Sequence, residues 1–129
     1  MATIKTFEAI EAWQKARMLS KEIFELTQVG SFARDFGLRD QINRSSGSIM
    51  DNIAEGFERG GTKEFIQFLS IARSSAGEVR SQLHRALDRK HLDYDRHKLL
   101  TEDIESISRM LTGLISYLRT SNVKGTKFQ

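Results

Sequence analysis

The chain has 129 residues, 29% of them charged and 39% hydrophobic, with no proline, no cysteine and a net charge of +3. That length suits one domain around one core, and the missing cysteines exclude a disulfide framework and any thiolate metal site. Average usage would supply roughly six prolines, so the composition favours long unbroken helices over an all-β fold.

Four amphipathic patterns follow one another. The first runs from about Ala9 to Thr27, with Trp13, Ala16, Leu19, Ile23 and Leu26 on one face, and Gly30-Ser31 breaks it. The second spans about Leu38 to Phe57 on a narrow stripe of Leu38, Ile42, Ser45, Ile49, Ile53 and Gly56. Gly60-Gly61 closes it, and Thr62 reads as the N-cap of the third. That helix carries Phe65, Leu69, Ala72, Ala76, Val79, Leu83 and Ala86 and ends near Lys90. Asp93 or Asp95 caps the fourth, which shows Leu100, Ile104, Ile107, Leu111, Leu114 and Leu118. Short connections join antiparallel neighbours, so the expectation is an all-α, up-down-up-down four-helix bundle over residues 1–120 with a flexible tail at 121–129. The opening residues lack a secretory h-region, and no stretch approaches the roughly 20 apolar residues that span a bilayer. A cytoplasmic protein without membrane contact is expected.

Charge is unevenly spread. Met1 to Glu58 carries −2, Arg59 to Lys98 carries +4, and Leu99 to Gln129 carries +1. The excess in the middle third can meet phosphate or an acidic partner. The second helix is also wider in apolar character than one bundle needs. Arg39, Met50, Ala54 and Phe57 project away from its core stripe, and Phe24, Phe32 and Phe36 lie off the main stripes too. Either loops fold over these residues or they form a second buried face between copies of the chain. Beside the stripe runs a polar seam of Gln41, Arg44, Ser48, Asn52, Glu55 and Arg59. It is either a solvated face or a hydrogen-bonded network between helices, in which Arg44, Asn52 and Glu55 hold the register.

A search for chemistry gives little. His84, Asp88 and His91 have a helical spacing open to a metal, but no second cluster completes it, and surface histidines are the simpler reading. No Gly-x-Ser-x-Gly elbow occurs, and no serine is visibly placed beside a histidine and a carboxylate. Gly60-Gly61-Thr62-Lys63 lacks phosphate-loop spacing and a preceding strand. No catalysis, metal or cofactor is expected.

Nucleic acid is the stronger candidate. Arg73, Gly77, Arg80, His84 and His91 align on one edge of the third helix, Arg85 and Arg89 add charge on its outer face, and Arg59 and Lys63 stand near its start. Arginines on a rigid helix can follow a phosphate backbone without reading bases. The aromatic interleaving of single-strand platforms is missing, because Phe65 and Phe68 read as core. The alternatives are a solvated face, a protein-interaction scaffold with a basic surface, or a bundle with a small-molecule pocket.

Certain blocks also resemble a known family. They are Ala12-Trp13-Gln14-Lys15-Ala16, Leu26-Thr27, Gly37-Leu38, Gln41-Ile42-Asn43-Arg44, and Ser48-Ile49 followed by Asn52-Ile53-Ala54-Glu55-Gly56 and Arg59. Lys63-Glu64-Phe65, Phe68-Leu69 and Ala72-Arg73-Ser74-Ser75-Ala76 with Glu78 continue the match. Over roughly Phe7 to Leu118 the chain resembles the four-helix-bundle proteins encoded within intervening sequences of the large-subunit ribosomal RNA gene. That family is itself similar to the accessory variability protein of diversity-generating retroelements. The resemblance implies a homopentameric ring with a basic surface that binds RNA or DNA and, for the retroelement type, contact with a reverse transcriptase. Two departures stand out: Gly30-Ser31 and Arg34 replace a frequent Phe-Pro pair and an acidic residue, and Met50 replaces a proline after Ser48-Ile49.

Overall fold

The computed structural model describes residues 4–121 as four helices, α1 (Glu11–Leu26), α2 (Phe36–Glu58), α3 (Thr62–Asp88) and α4 (Tyr94–Thr120), with short 3-10 turns at Phe7–Ala9 and Gly30–Arg34. Each helix packs on its sequence neighbour, and α4 closes against α1. Cross-helix pairs fix the antiparallel sense. Arg96 at the start of α4 bonds Glu22 near the end of α1, and Ser45 and Ser48 of α2 meet Gln82 and Ser75 of α3 in reverse order. This is the expected up-down-up-down bundle. The expected tail at 121–129 lies, apart from Ser121, outside the described residues.

The core follows the apolar stripes. Ala16 and Ile23 of α1, Ile42, Ile49 and Ile53 of α2, Leu69, Val79 and Leu83 of α3, and Leu100 and Leu111 of α4 are fully buried. Burying each large aliphatic chain contributes about 1.5–3 kcal/mol. Ala72, Ala76 and Ala86 give α3 a thin inner face, which lets the central helix lie close to both α2 and α4. At the α2–α3 turn the approach is closest: a Cβ on Gly56 would stand 2.5 Å from the Cβ of Phe68, so only glycine fits without moving α3.

Three local expectations need correction. Phe57 is not part of a second face: it is fully buried and packs edge-on against Phe65, 5.9 Å between ring centres. It follows Ile53 by four residues, about 40° round the helix, and so continues the buried stripe of α2 to its last turn. Thr62 is not the N-cap of α3; Gly61, in extended conformation, takes that place and Thr62 is the first helical residue. Phe32 is also buried, under the Gly30–Arg34 turn, whereas Phe24 and Phe36 remain exposed. The α4 cap is Asp93, whose carboxylate accepts from the Arg96 N–H at 2.8 Å.

The end of α3 departs from the usual pattern in one respect. His91 N–H reaches back to the Ala86 carbonyl and Lys90 N–H to that of Leu87, both at 2.9 Å, and Lys90 sits at φ +61°. This is the double C-terminal bond of a Schellman turn with lysine where glycine is the common choice. Its consequence is directional: it throws His91 back from the helix end towards the start of α2.

Candidate nucleic-acid interface

The six basic residues expected to touch nucleic acid do not form one row. They surround α3. On the flank facing α4, Arg73 donates to Thr112 Oγ1 at 3.3 Å, and Arg80 stands 4.0 Å from the Glu105 carboxylate. On the flank facing α2, Arg85 donates to the Gln41 side-chain oxygen at 2.8 Å. Between these flanks the outward ridge of α3 bears Ser74, Gly77 and Ser81, all exposed and short. A linear polyanion laid along the ridge would meet guanidinium groups on both sides of a low crest. Lys63 is exposed at the start of the same helix, and among the described residues neither it nor Arg44 has an ion pair.

Three of the six have a carboxylate partner, Arg80 at the longest distance and the other two closely. Arg59 pairs with Glu55 at 2.8 Å, the i,i+4 pair anticipated from sequence, and lies 5.0 Å above the Phe68 ring. Phe68 is half-buried rather than core. Arg89 is bound to Asp35 at 2.8 Å, at the opposite end of the bundle.

The polar seam of α2 divides in two. Its inner half is a network. Ser48 and Ser75 hydroxyls meet at 2.9 Å, Asn52 Nδ2 donates to the Ser48 carbonyl and hydroxyl oxygens, and Gln82 Nε2 donates to Ser45 Oγ at 3.1 Å. Its outer half is the rim of an open groove of about 440 Å³ between α2 and α3, where Gln41, Arg44, Glu78 and Arg85 surround a floor that includes Ser45 and Gln82. Thus Asn52 lies in the network, whereas Arg44 lines the rim and Glu55 is exposed.

Of the two histidines expected at the surface, His84 is exposed and His91 is covered; His97, at the start of α4, is buried as well. His97 is 8% exposed because it continues the α4 core stripe one turn before Leu100. Its ring lies 4.9 Å from that of His84. Burial first, and the nearby His84 second, push its pKa below the ordinary histidine value, so it is neutral near pH 7. His91 is not on the edge of α3 at all. Its side chain is covered, stacked on Phe32 at 4.8 Å, with Nε2 at 2.8 Å from Asp35 Oδ2 and Nδ1 at 2.8 Å from Ser31 Oγ. The expectation that no serine stands beside a histidine and a carboxylate is therefore overturned. Ser31 and His91 are 60 positions apart; the Schellman turn brings them together, and no spacing rule reports it. Among the described residues no group of three or more His, Asp or Glu side chains is arranged to hold a metal. None of their helices is long and apolar enough to cross a membrane.

A single antiparallel bundle whose third helix carries cations on both flanks defines the class: a small four-helix protein with a basic face. Residues 8–113 match the 23S rRNA-intervening sequence protein family, and the chain belongs to that family. A solved structure from Bacteroides thetaiotaomicron, described as a protein with unknown function from the S23 ribosomal protein family, superposes with a TM-score of 0.74. It shares 22% identity over 81% of this chain and 95% of its own, a likeness that shows the shared bundle fold. No curated protein matches the sequence.

Proposed function

We propose that the protein is a non-enzymatic, cytoplasmic, self-associating bundle that binds RNA or DNA along α3. The observation that supports this reading is the pair of basic flanks around the exposed Ser74–Gly77–Ser81 ridge, where Arg73 and Arg85 contact neutral oxygens rather than carboxylates. Guanidinium groups bound to hydroxyl or amide oxygen keep their full charge for a phosphate. Arg80, with only a distant carboxylate, joins them, and Lys63 and Arg44 extend the positive surface towards the α2–α3 turn and the groove. The family's name ties its members to an insertion in a ribosomal RNA gene, which favours RNA over DNA as the first ligand to try.

One subunit offers a handful of phosphate contacts, a weak grip at cellular salt. Closed association would repeat the surface around an axis and multiply the effective contact number. The pentamer implied by the resemblance is the form in which this reading works best.

Binding to a short single-stranded RNA and to duplex DNA, measured against salt, tests the proposal. The log–log slope of affinity against salt should steepen with the number of phosphates engaged, and Arg73→Ala/Arg80→Ala should flatten it by about one to two units. Arg59→Ala, which removes a cation already held by Glu55, should change it less. Absence of binding at about 50 mM salt, or a slope unchanged in the double variant, rejects the reading.

A further inference from the structure

We propose that Ser31 is a base-activated nucleophile, a site that takes an acyl group from an activated ester. This goes beyond nucleic-acid binding and uses the other end of the molecule. Ser31 Oγ, His91 and Asp35 form a continuous relay with both links at 2.8 Å. An ionised carboxylate can only accept, so His91 Nε2 carries the proton shared with Asp35. That fixes the tautomer. Nδ1 then presents a lone pair, and the Ser31 hydroxyl donates to it. The polarity is that of a nucleophile, a general base and an orienting carboxylate.

Each member is held. Asp35 Oδ2 also accepts from Arg89 at 2.8 Å, while Oδ1 faces the Leu38 N–H at the start of α2. The imidazole is clamped on the Phe32 ring, and its side chain is only 8% exposed. Ser31 itself is exposed, and it follows Gly30, whose missing side chain leaves open space beside it. The base is thus covered while its hydroxyl partner faces solvent. A reagent arriving from solution meets the oxygen and not the ring. Structural need does not account for the Ser31 link, because Arg89 and His91 already tie the two loops together through Asp35.

In the reaction, a lone pair on Ser31 Oγ forms the bond to the ester carbonyl carbon as the hydroxyl proton passes to His91 Nδ1. The imidazolium so formed lies against the Asp35 carboxylate. The tetrahedral adduct then collapses: the bond from carbonyl carbon to the leaving oxygen breaks, and the phenol or alcohol departs with the proton from Nδ1. O-acylserine and neutral His91 remain, and no oxidant or reductant is consumed. The outcome is stoichiometric modification of the loop joining α1 to α2.

Incubating the full chain with p-nitrophenyl acetate and mapping acetyl groups by peptide mass spectrometry tests this directly. Exposed Ser74, Ser81 and Ser116 serve as internal references within the same folded molecule. Ser31 should acetylate about 10²-fold faster than they do, and His91→Gln should remove most of that advantage, as loss of a general base does. Ser31→Ala should abolish the adduct in its peptide while helix content stays unchanged. Labelling of Ser31 at the rate of the reference serines, an unchanged rate in His91→Gln, or acetyl found on His91 with none on Ser31 each overturns the proposal. The wild-type comparison among serines holds even if a His91 variant folds poorly.

Discussion

Asp35 is the residue on which most depends at one end of the bundle. It lies at the N-cap of α2 and accepts from His91 and Arg89 across 56 and 54 positions of chain. The hydrogen bond from His91 first, and that from Arg89 second, lower its pKa from 3.8 to about 2. A carboxyl whose folded pKa is depressed stabilises the fold above its unfolded value and loses that contribution as pH falls through the folded one. The window runs from about pH 4 down to about pH 2. Urea unfolding of the wild type should therefore show stability falling across that window. Asp35→Asn should start less stable at neutral pH and lose less on acidification. Equal slopes in the two proteins would show that the carboxylate carries no such contribution. The sequence places Asp35 next to a helix start but offers no hint of its distant partners, because loop positions obey no periodicity.

At the scale of elements, the α2–α3 seam decides how the bundle keeps its register. Gln82 is 7% exposed, and its amide reaches Ser45 Oγ through Nε2 while Oε1 has no hydrogen-bond partner. Removing one partner of a buried pair costs the desolvation of the other, about 1–3 kcal/mol, whereas removing both together can be nearly neutral. Ser45→Ala alone should destabilise by that amount, and adding Gln82→Leu should recover most of it, a coupling that a double-mutant cycle in urea reads out. Additive losses would show that the two side chains act independently. The four helices were legible in the sequence because their stripes repeat over many turns: the Leu100 to Leu118 pattern of α4 needs no outside information. The seam was legible as a pattern of polar residues at helical spacing, but not as a division into network and rim. That division depends on where α3 lies, and the placement of α3 follows from Gly56 and the alanines of its inner face, whose importance comes from a neighbour and not from their own segment. His97 carries no such signal for a related reason: it begins the α4 stripe, and its polarity disguises a core position.

For the whole molecule, the question is what covers α1 and α2 on their outer side. Phe24 is 55% and Phe36 63% exposed, and Met50 and Ala54 lie half-buried on the α2 flank turned towards α1. Arg39 stacks over Phe36 at 4.8 Å, which shields only one side of that ring. With Phe57 assigned to the core, the second face expected from sequence narrows to these side chains. A stable interface buries about 800 Å² per partner, more than two phenylalanines and a methionine provide, so neighbouring polar residues such as Arg17 and Lys21 would form its rim. An apolar centre with a charged rim is the arrangement in which one central substitution has the largest effect. Light scattering at tens of micromolar, an order-of-magnitude choice suited to micromolar association, should therefore give a mass several times the 14.7 kDa of one chain. Phe24→Glu should return it to a single chain with the helix content intact. The same variant should also flatten the salt dependence of RNA binding although Phe24 is far from α3 in sequence and carries no charge in the wild type. Phe24→Glu also makes the chain more acidic by one charge, so Met18→Glu, the same change on the α4 side of α1, supplies the control. If Phe24→Glu alone flattens the slope, the cations of separate copies act together. If both variants weaken binding equally while the mass stays unchanged, the charge added is the whole cause and the Phe24 face is not what joins the copies.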